Sequence, residues 1–293
     1  MYPAPIEEYV RPGTVDEAIA ALGKYDEGDA FFVAGGQSIM QAIKSRLLRP
    51  RCIVDLQGVA DLKGISAGGD GVTIGAMTRY RDVAECEDLN GAYLALRDAA
   101  NRVGDRQIRN RGTIGGSLCW NYVAACMPPV ALGLGMDMNL VGAGGAARSL
   151  AAGDFLGGPL ETAREENEVL LSVSLPAAPA NAGSAYKKWG LVTDALPVVG
   201  VCAYVELDGS GACSTARVAI GGLASGPVRS GAAEAALVGK KGDDASGINA
   251  AIEAAANETE TQGDLWADPD YRKQLIRSLG NEVVTTAFQR AAS

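Results

Sequence analysis

Residues 31–45, FFVAGGQSIMQAIKS, run an apolar, strand-like segment into two glycines, a polar pair and a helix-like segment. A second short apolar run, CIVDL at 52–56, follows and is bounded by turn residues, as the first is. Strand, glycine turn, helix, strand reads as a βαβ unit with a right-handed crossover. Just upstream, GTVDEAIAALGKY places Thr14 three residues before Glu17, a capping box, with Val15, Ala18, Ile19 and Leu22 at helical spacing. This predicts a helix over 15–24.

The glycine turn is where such a unit meets a ligand. Glycine permits positive φ and close approach, so successive amides can point at an anion, and a helix starting just after adds its partial positive charge. Ala34, Gly35, Gly36, Gln37 and Ser38 have this form, with a Ser38 hydroxyl that can donate to a phosphate oxygen or cap the helix. In a chain with 38 glycines, one such turn is equally an ordinary strand-to-helix connection. A second segment changes the balance: Gly112, Thr113, Ile114, Gly115, Gly116 and Ser117 again pair glycines with hydroxyls, after the basic run GDRQIRNR. Two anion cradles, joined by Arg106, Arg109 and Arg111 as counter-charges or as a solvated or subunit-facing loop, suggest one ligand held between two lobes. A dinucleotide with a central diphosphate fits. Neither segment is the G-x-G-x-x-G dinucleotide fingerprint, neither is a P-loop, and Asp55 reads equally as a strand-end cap.

Working outward, GISAGGDGVTIGAMT reads as short strands joined by glycine turns, and YLALRDAANRVG (93–104) as a helix ending at Gly104. MNLVG, ARSLAA and EVLLSVSLP are strand-like, and PAAPANAGS (176–184) has linker composition. Beyond it, two β-rich runs flank DGSG, a hairpin signal. The remainder is helical, with Leu275, Ile276, Leu279, Val283 and Val284 on one apolar stripe of the last helix. The expected division is residues 1–57, 58–176 and 177–293.

Composition narrows function. With 293 residues, 47% of them hydrophobic and 21% charged, the chain is long enough for a large core without disulfide staples. A formal charge of −9 repels nucleic acid and anionic lipid. MYPAPIEEYV lacks a signal-peptide pattern, and no apolar run is long enough to span a bilayer, so the expected compartment is the cytoplasm. Six cysteines without a C-x-x-C pair read as packed thiols, not metal ligands. There is no histidine, which removes the commonest general base and metal ligand together. No catalytic residue is identified, and any redox chemistry falls to a cofactor.

VAGGQS, RPRCIVDLQGVADLKGI, TIGAMTRYRDV, QIRNRGTIGGSL, GSAYKKW and ARVAIGGLASGPVRS follow one another in a way that resembles the FAD-binding medium subunit of the molybdenum-containing hydroxylases, the group of carbon monoxide dehydrogenase, quinoline oxidoreductase and xanthine dehydrogenase. The resemblance covers nearly the whole chain. It implies an α+β fold: a two-lobed FAD domain of the vanillyl-alcohol-oxidase type, then a small C-terminal domain of sheet plus helices. It implies non-covalent FAD whose diphosphate is held by Ala34, Gly35, Gly36, Gln37 and Ser38 and by Thr113, Gly115, Gly116 and Ser117, with backbone contacts from Val33 and Ile114. Relatives follow the second turn with an aspartate for the adenosine ribose; the matching position here is near Cys126, so Asn121 or Tyr122 would substitute. Tyr186 and Lys187 match the aromatic and basic pair set against the flavin ring, with Asp194 and Leu196 nearby.

The resemblance further implies an electron-transfer subunit. Molybdopterin would lie in a large partner subunit and iron–sulfur clusters in a small one, with FAD here passing electrons to an external acceptor, in a dimer of heterotrimers. A free-standing flavin oxidase of the same fold and a non-catalytic nucleotide-binding assembly module are the two other readings.

Overall fold

The computed structural model describes residues 5–293. Residues 1–4, which open both the stretch read above for a signal and the expected 1–57 lobe, lie outside the described residues.

The first lobe is the βαβ unit. Strands β1 (Glu8–Val10), β2 (Ala30–Val33) and β3 (Cys52–Asp55) form a parallel sheet in the order β1-β3-β2. Helix α1 (Val15–Leu22) starts at Thr14, whose hydroxyl accepts from the Glu17 amide at 3.2 Å, while the Glu17 carboxylate reaches back to the Gly13 amide at 2.8 Å. Such a cap is worth about 1 kcal/mol. Gly23 caps the helix, whose last residue, Leu22, falls two short of the expected 24. Helix α2 (Ile39–Lys44) follows the AGGQS turn and is the crossover to β3. Asp55 is the strand-end cap: it accepts from the Gln57 amide at 2.9 Å and from the Tyr9 hydroxyl.

The second lobe is a five-stranded antiparallel sheet, β4-β5-β8-β6-β7, built from β4 (Ile65–Gly68), β5 (Gly71–Gly75), β6 (Asp137–Val141), β7 (Ala147–Ala151) and β8 (Val169–Pro176). Helices α3 (Tyr80–Glu85), α4 (Leu94–Arg102), α5 (Arg106–Arg109), α6 (Ile114–Trp120), α7 (Met127–Leu134) and α8 (Ala152–Phe155) occupy its long connections. Here the sequence reading is corrected. The segment 112–118 is no glycine turn: Thr113 caps α6 by accepting from the Gly116 amide at 3.1 Å, and Gly115 and Gly116 lie inside its first turn.

The third unit is the antiparallel sheet β12-β11-β10-β9, with β9 (Ala182–Trp189), β10 (Val199–Leu207), β11 (Cys213–Gly221) and β12 (Val228–Arg229). Asp208 organises the expected β10–β11 turn by accepting from the Ser210 and Ala212 amides. Helices α9 (Gly231–Leu237), α10 (Ala245–Glu258) and α11 (Pro269–Ala291) cover one face, and all five residues of the expected stripe are buried there. Each buried aliphatic side chain contributes roughly 1.5–3 kcal/mol. The linker shrinks to 177–181, because β8 runs through Pro176 and β9 already begins at Ala182.

Two features lock this unit to the second lobe. Every residue of α7 is buried, and a Cβ on Gly133 would stand 2.7 Å from Cys202 Sγ, so the helix lies almost directly on the C-terminal sheet. Arg290 of α11 donates to Asp98 of α4 at 2.6 Å and to the Ser184 carbonyl of β9 at 2.7 Å. All six cysteines are free, with Cys52, Cys126, Cys202 and Cys213 buried. No helix among the described residues is long and apolar enough to cross a membrane.

Candidate cofactor site

The two glycine segments meet. A Cβ on Gly35 would lie 2.0 Å from the Arg111 carbonyl oxygen, and one on Gly116 would lie 3.4 Å from Ala34 Cβ. Gly35 therefore exists for backbone-to-backbone contact between the lobes. Gly36 has a different reason, φ +72°, which a side chain makes costly.

The two segments offer unlike chemistry. Among the described residues, the amides of Gly35, Gly36, Gln37 and Ser38 donate no hydrogen bond within the chain, and the Ser38 hydroxyl does not cap α2. They are four successive unpaired donors at the cavity wall. In the second segment the amides are already engaged: Ile114 with the Thr78 carbonyl at 3.1 Å, Gly115 with the Ala76 carbonyl at 2.9 Å, Gly116 with Thr113 Oγ1, and Ser117 with the Thr113 carbonyl at 3.2 Å. What α6 offers a ligand is hydroxyls and the close approach allowed by Gly116. The Ser117 hydroxyl stands beside the buried Tyr80 phenol, which burial pushes above its usual pKa.

A cavity of about 730 Å³ runs past this meeting point, within the usual size of small-molecule sites. Ala34, Gly35, Gly36, Gln37, Ser38, Thr113, Gly115, Gly116 and Ser117 all line it. One end lies against Leu22, Glu27, Val169 and Leu170, where the first lobe packs on β8. At this end Arg148 holds Glu168 by two bonds of 2.6 and 2.7 Å and lowers its carboxyl pKa, while Arg164 is spent on the carbonyls of Glu165, Glu166 and Glu168. The other end is closed by Val103, Gly104, Cys126, Lys188 and the β9–β10 connection at Asp194, Leu196 and Pro197.

Several expected residues stand elsewhere. Val33 and Ile114 are buried behind the lining. Lys187 points away and pairs with Glu282 on α11, because alternate residues of a strand face opposite sides. Its neighbour Lys188 shares the Tyr186 face, lines the cavity and donates to the Ala195 carbonyl; burial lowers its ammonium pKa. Tyr186 is core, 2% exposed, with a hydroxyl that has no hydrogen-bond partner. Asn121 does not line the cavity. It ends α6 at φ +40° and its side-chain amide donates to the carbonyls of Gly157, Gly158 and Glu161, which positions the loop carrying the cavity residue Leu160. Tyr122 does line the cavity.

None of Arg106, Arg109 and Arg111 lines it either; Arg109 is bound to the carbonyls of Val103 and Gly104. The Cys126 thiol adjoins the Tyr186 phenol and Lys188, and burial raises its pKa. Arg164 and Lys188 were missed for different reasons. Nothing in TAREENEV marks a cavity residue, whereas strand alternation from Tyr186 would have found Lys188.

Fold and site together define a protein with an elongated cavity between two lobes, lined by two glycine- and hydroxyl-bearing segments. Comparison with known proteins identifies its family. Residues 4–178 match the family described as the FAD binding domain in molybdopterin dehydrogenase, and residues 184–287 match the CO dehydrogenase flavoprotein C-terminal domain. The chain is 31% identical over 285 residues to the carbon monoxide dehydrogenase medium chain of Hydrogenophaga pseudoflava, covering 97% of this chain and 98% of that one. It is 30% identical over 282 residues to the glyceraldehyde dehydrogenase medium chain of Sulfolobus acidocaldarius, covering 95% and 97%. Its fold superposes on the structure of carbon monoxide dehydrogenase from Hydrogenophaga pseudoflava with a TM-score of 0.92 at 32% identity, over 99% of both chains. Quinoline 2-oxidoreductase from Pseudomonas putida 86 matches with a TM-score of 0.91 at 29% identity, over 100% of both chains. The chain belongs to the FAD-binding flavoprotein subunits of the molybdenum hydroxylases, and it is an oxidoreductase subunit.

Proposed function

We propose that FAD lies non-covalently along this cavity, with its diphosphate on the amides of Gly35, Gly36, Gln37 and Ser38 and its flanks on the hydroxyls of Ser38, Thr113 and Ser117. The four unpaired amides carry this reading, because successive backbone donors that pair with nothing in the chain, at the mouth of a cavity and just before a helix, are the arrangement that takes an anion. When bound, FAD supplies the means to accept electrons from iron–sulfur clusters of a small partner subunit, fed by molybdopterin in a large one, and to pass them to an external acceptor. The dimer of heterotrimers, the cytoplasmic setting and the division at residues 57/58 and 176/177 belong to the same reading. The gap between the two family matches, 178 to 184, supports the second boundary.

The chain's own residues hold and shape. Gly36 keeps the cradle open, Gly35 lets the lobes close, and Asn121 fixes Leu160 over the cavity. Tyr186 and Lys188 stand at the ring end, where a cation favours the negative charge that reduction adds. Cys126 adjoins both, so position 126 belongs to the ring end as well. A ribose and a ring of one dinucleotide cannot share that place. The adenosine then falls at the Glu27–Val169 end, and Glu27 or Glu166 takes over the carboxylate role expected near 126.

Flavin stoichiometry tests the assignment. The purified chain carries close to one FAD per chain, released by denaturation, and Gly36→Val loses it while its circular dichroism stays native. Full flavin occupancy in the variant contradicts the cradle.

A further inference from the structure

Exposed apolar side chains collect at one end of the molecule, around the Lys188 end of the cavity. Leu191, Val192 and Leu196 protrude from the β9–β10 connection, Leu265 and Trp266 from the approach to α11, and Tyr271 from its first turn, with Leu265 93% and Val192 66% exposed. The two groups are one surface. Trp189 meets Tyr271 edge-on at 5.5 Å, and the buried Arg272 ties them by donating to the Val198 carbonyl and to Asp264, both at 2.5 Å. A monomer gains nothing from a solvated tryptophan beside leucines and a valine, and a clustered apolar surface of this kind marks an interface.

We propose that this rim is the docking surface for the partner chain that delivers electrons, an iron–sulfur protein presenting an apolar patch bordered by basic residues. The inference rests on the flavin reading above. Electron transfer weakens steeply with distance, so a donor must sit against the end of the cavity that holds the ring, and the rim surrounds that end. Charge selects the donor's chemistry: Asp194, Asp264, Asp268 and Asp270 border the apolar residues and outnumber the neighbouring cations, of which Arg272 is buried and committed to carbonyls and Asp264, and Lys188 to the Ala195 carbonyl. An acidic border steers a basic partner and repels a second copy of this chain.

The test uses the complex co-expressed with its partner subunits. Val192→Glu combined with Trp266→Glu, neither of them a cavity residue, is expected to cut recovery of the iron–sulfur chain at least about tenfold, as loss of a tryptophan anchor does. Leu47→Glu, equally exposed but on the first lobe, leaves it unchanged. Asp270→Lys, which alters charge alone, weakens association at low salt and converges on the unaltered chain at high salt. Undiminished recovery with the double variant, or loss of self-association with the iron–sulfur chain retained, overturns the proposal. Flavin content measured on the same samples reports separately on the cavity: an unaltered complex without flavin sinks the cofactor reading while leaving the docking result to stand or fall by itself.

Discussion

Gly35 and Gly36 are adjacent, identical in the sequence and different in purpose. One is small because the Arg111 carbonyl lies where its Cβ would be; the other adopts a φ that costs a side chain roughly 1–2 kcal/mol. That the pair sat in a strand-to-helix turn was legible from the strand before and the helix after. Which glycine meets the other lobe was not, because the Arg111 contact spans 76 residues of chain. The same holds at Lys187 and Lys188. Resemblance fixed the neighbourhood, but only the strand's alternation decides which ammonium enters the cavity. Lys188→Met is therefore expected to lower the flavin midpoint potential by roughly 30 mV or more, the two-electron equivalent of about 1.4 kcal/mol. Lys187→Met, losing only its bond to Glu282, leaves the potential unchanged; spectroelectrochemical titration of both variants decides, and equal shifts contradict the assignment.

Among elements, the strand-rich first lobe and the C-terminal hairpin were readable because their patterns are local: apolar runs, turn residues, a capping box. Helix α6 was not, since TIGGSLCW puts two glycines, which helix propensity disfavours, in the helix's first turn. Its stability comes from the Thr113 cap and from packing so tight that a Cβ on Gly115 would lie 2.5 Å from Ala76. Long-range partners also hide the Arg148–Glu168 pair, which joins β7 to the start of β8 at one end of the cavity. Its pH dependence follows from Arg148 lowering the Glu168 pKa. The carboxylate is ionised in the folded chain below the pH at which it protonates when unfolded, so its stabilisation is complete above the unfolded value of about 4.3. It is lost as pH falls through the lower, folded value. Glu168→Gln should lower the Tm at pH 7 by roughly 2–4 °C, taking about 1 kcal/mol for the lost charged bond. It should also flatten the fall in Tm below about pH 4.3; an unchanged acid limb would show that the pair carries no such stability.

In the whole molecule α7 and the Arg290–Asp98 contact join the second and third sheets while the Gly35–Arg111 contact joins the first to the second, and the order of the three was visible as shifts in texture along the chain. The separation of cavity ends was not. Position 126 read as adenosine-side in the sequence, and it stands beside the buried Tyr186 because α7 brings the second lobe onto β9 and β10. The absence of histidine and the negative charge fit a subunit that receives electrons and does not itself attack a substrate, and this is the account's central claim. It is tested most directly by following flavin absorbance after adding substrate to the isolated chain and to the assembled complex. The account predicts bleaching in the complex alone. A flavin that bleaches in the isolated chain, with turnover and no partner present, would make this a free-standing oxidase and contradict it.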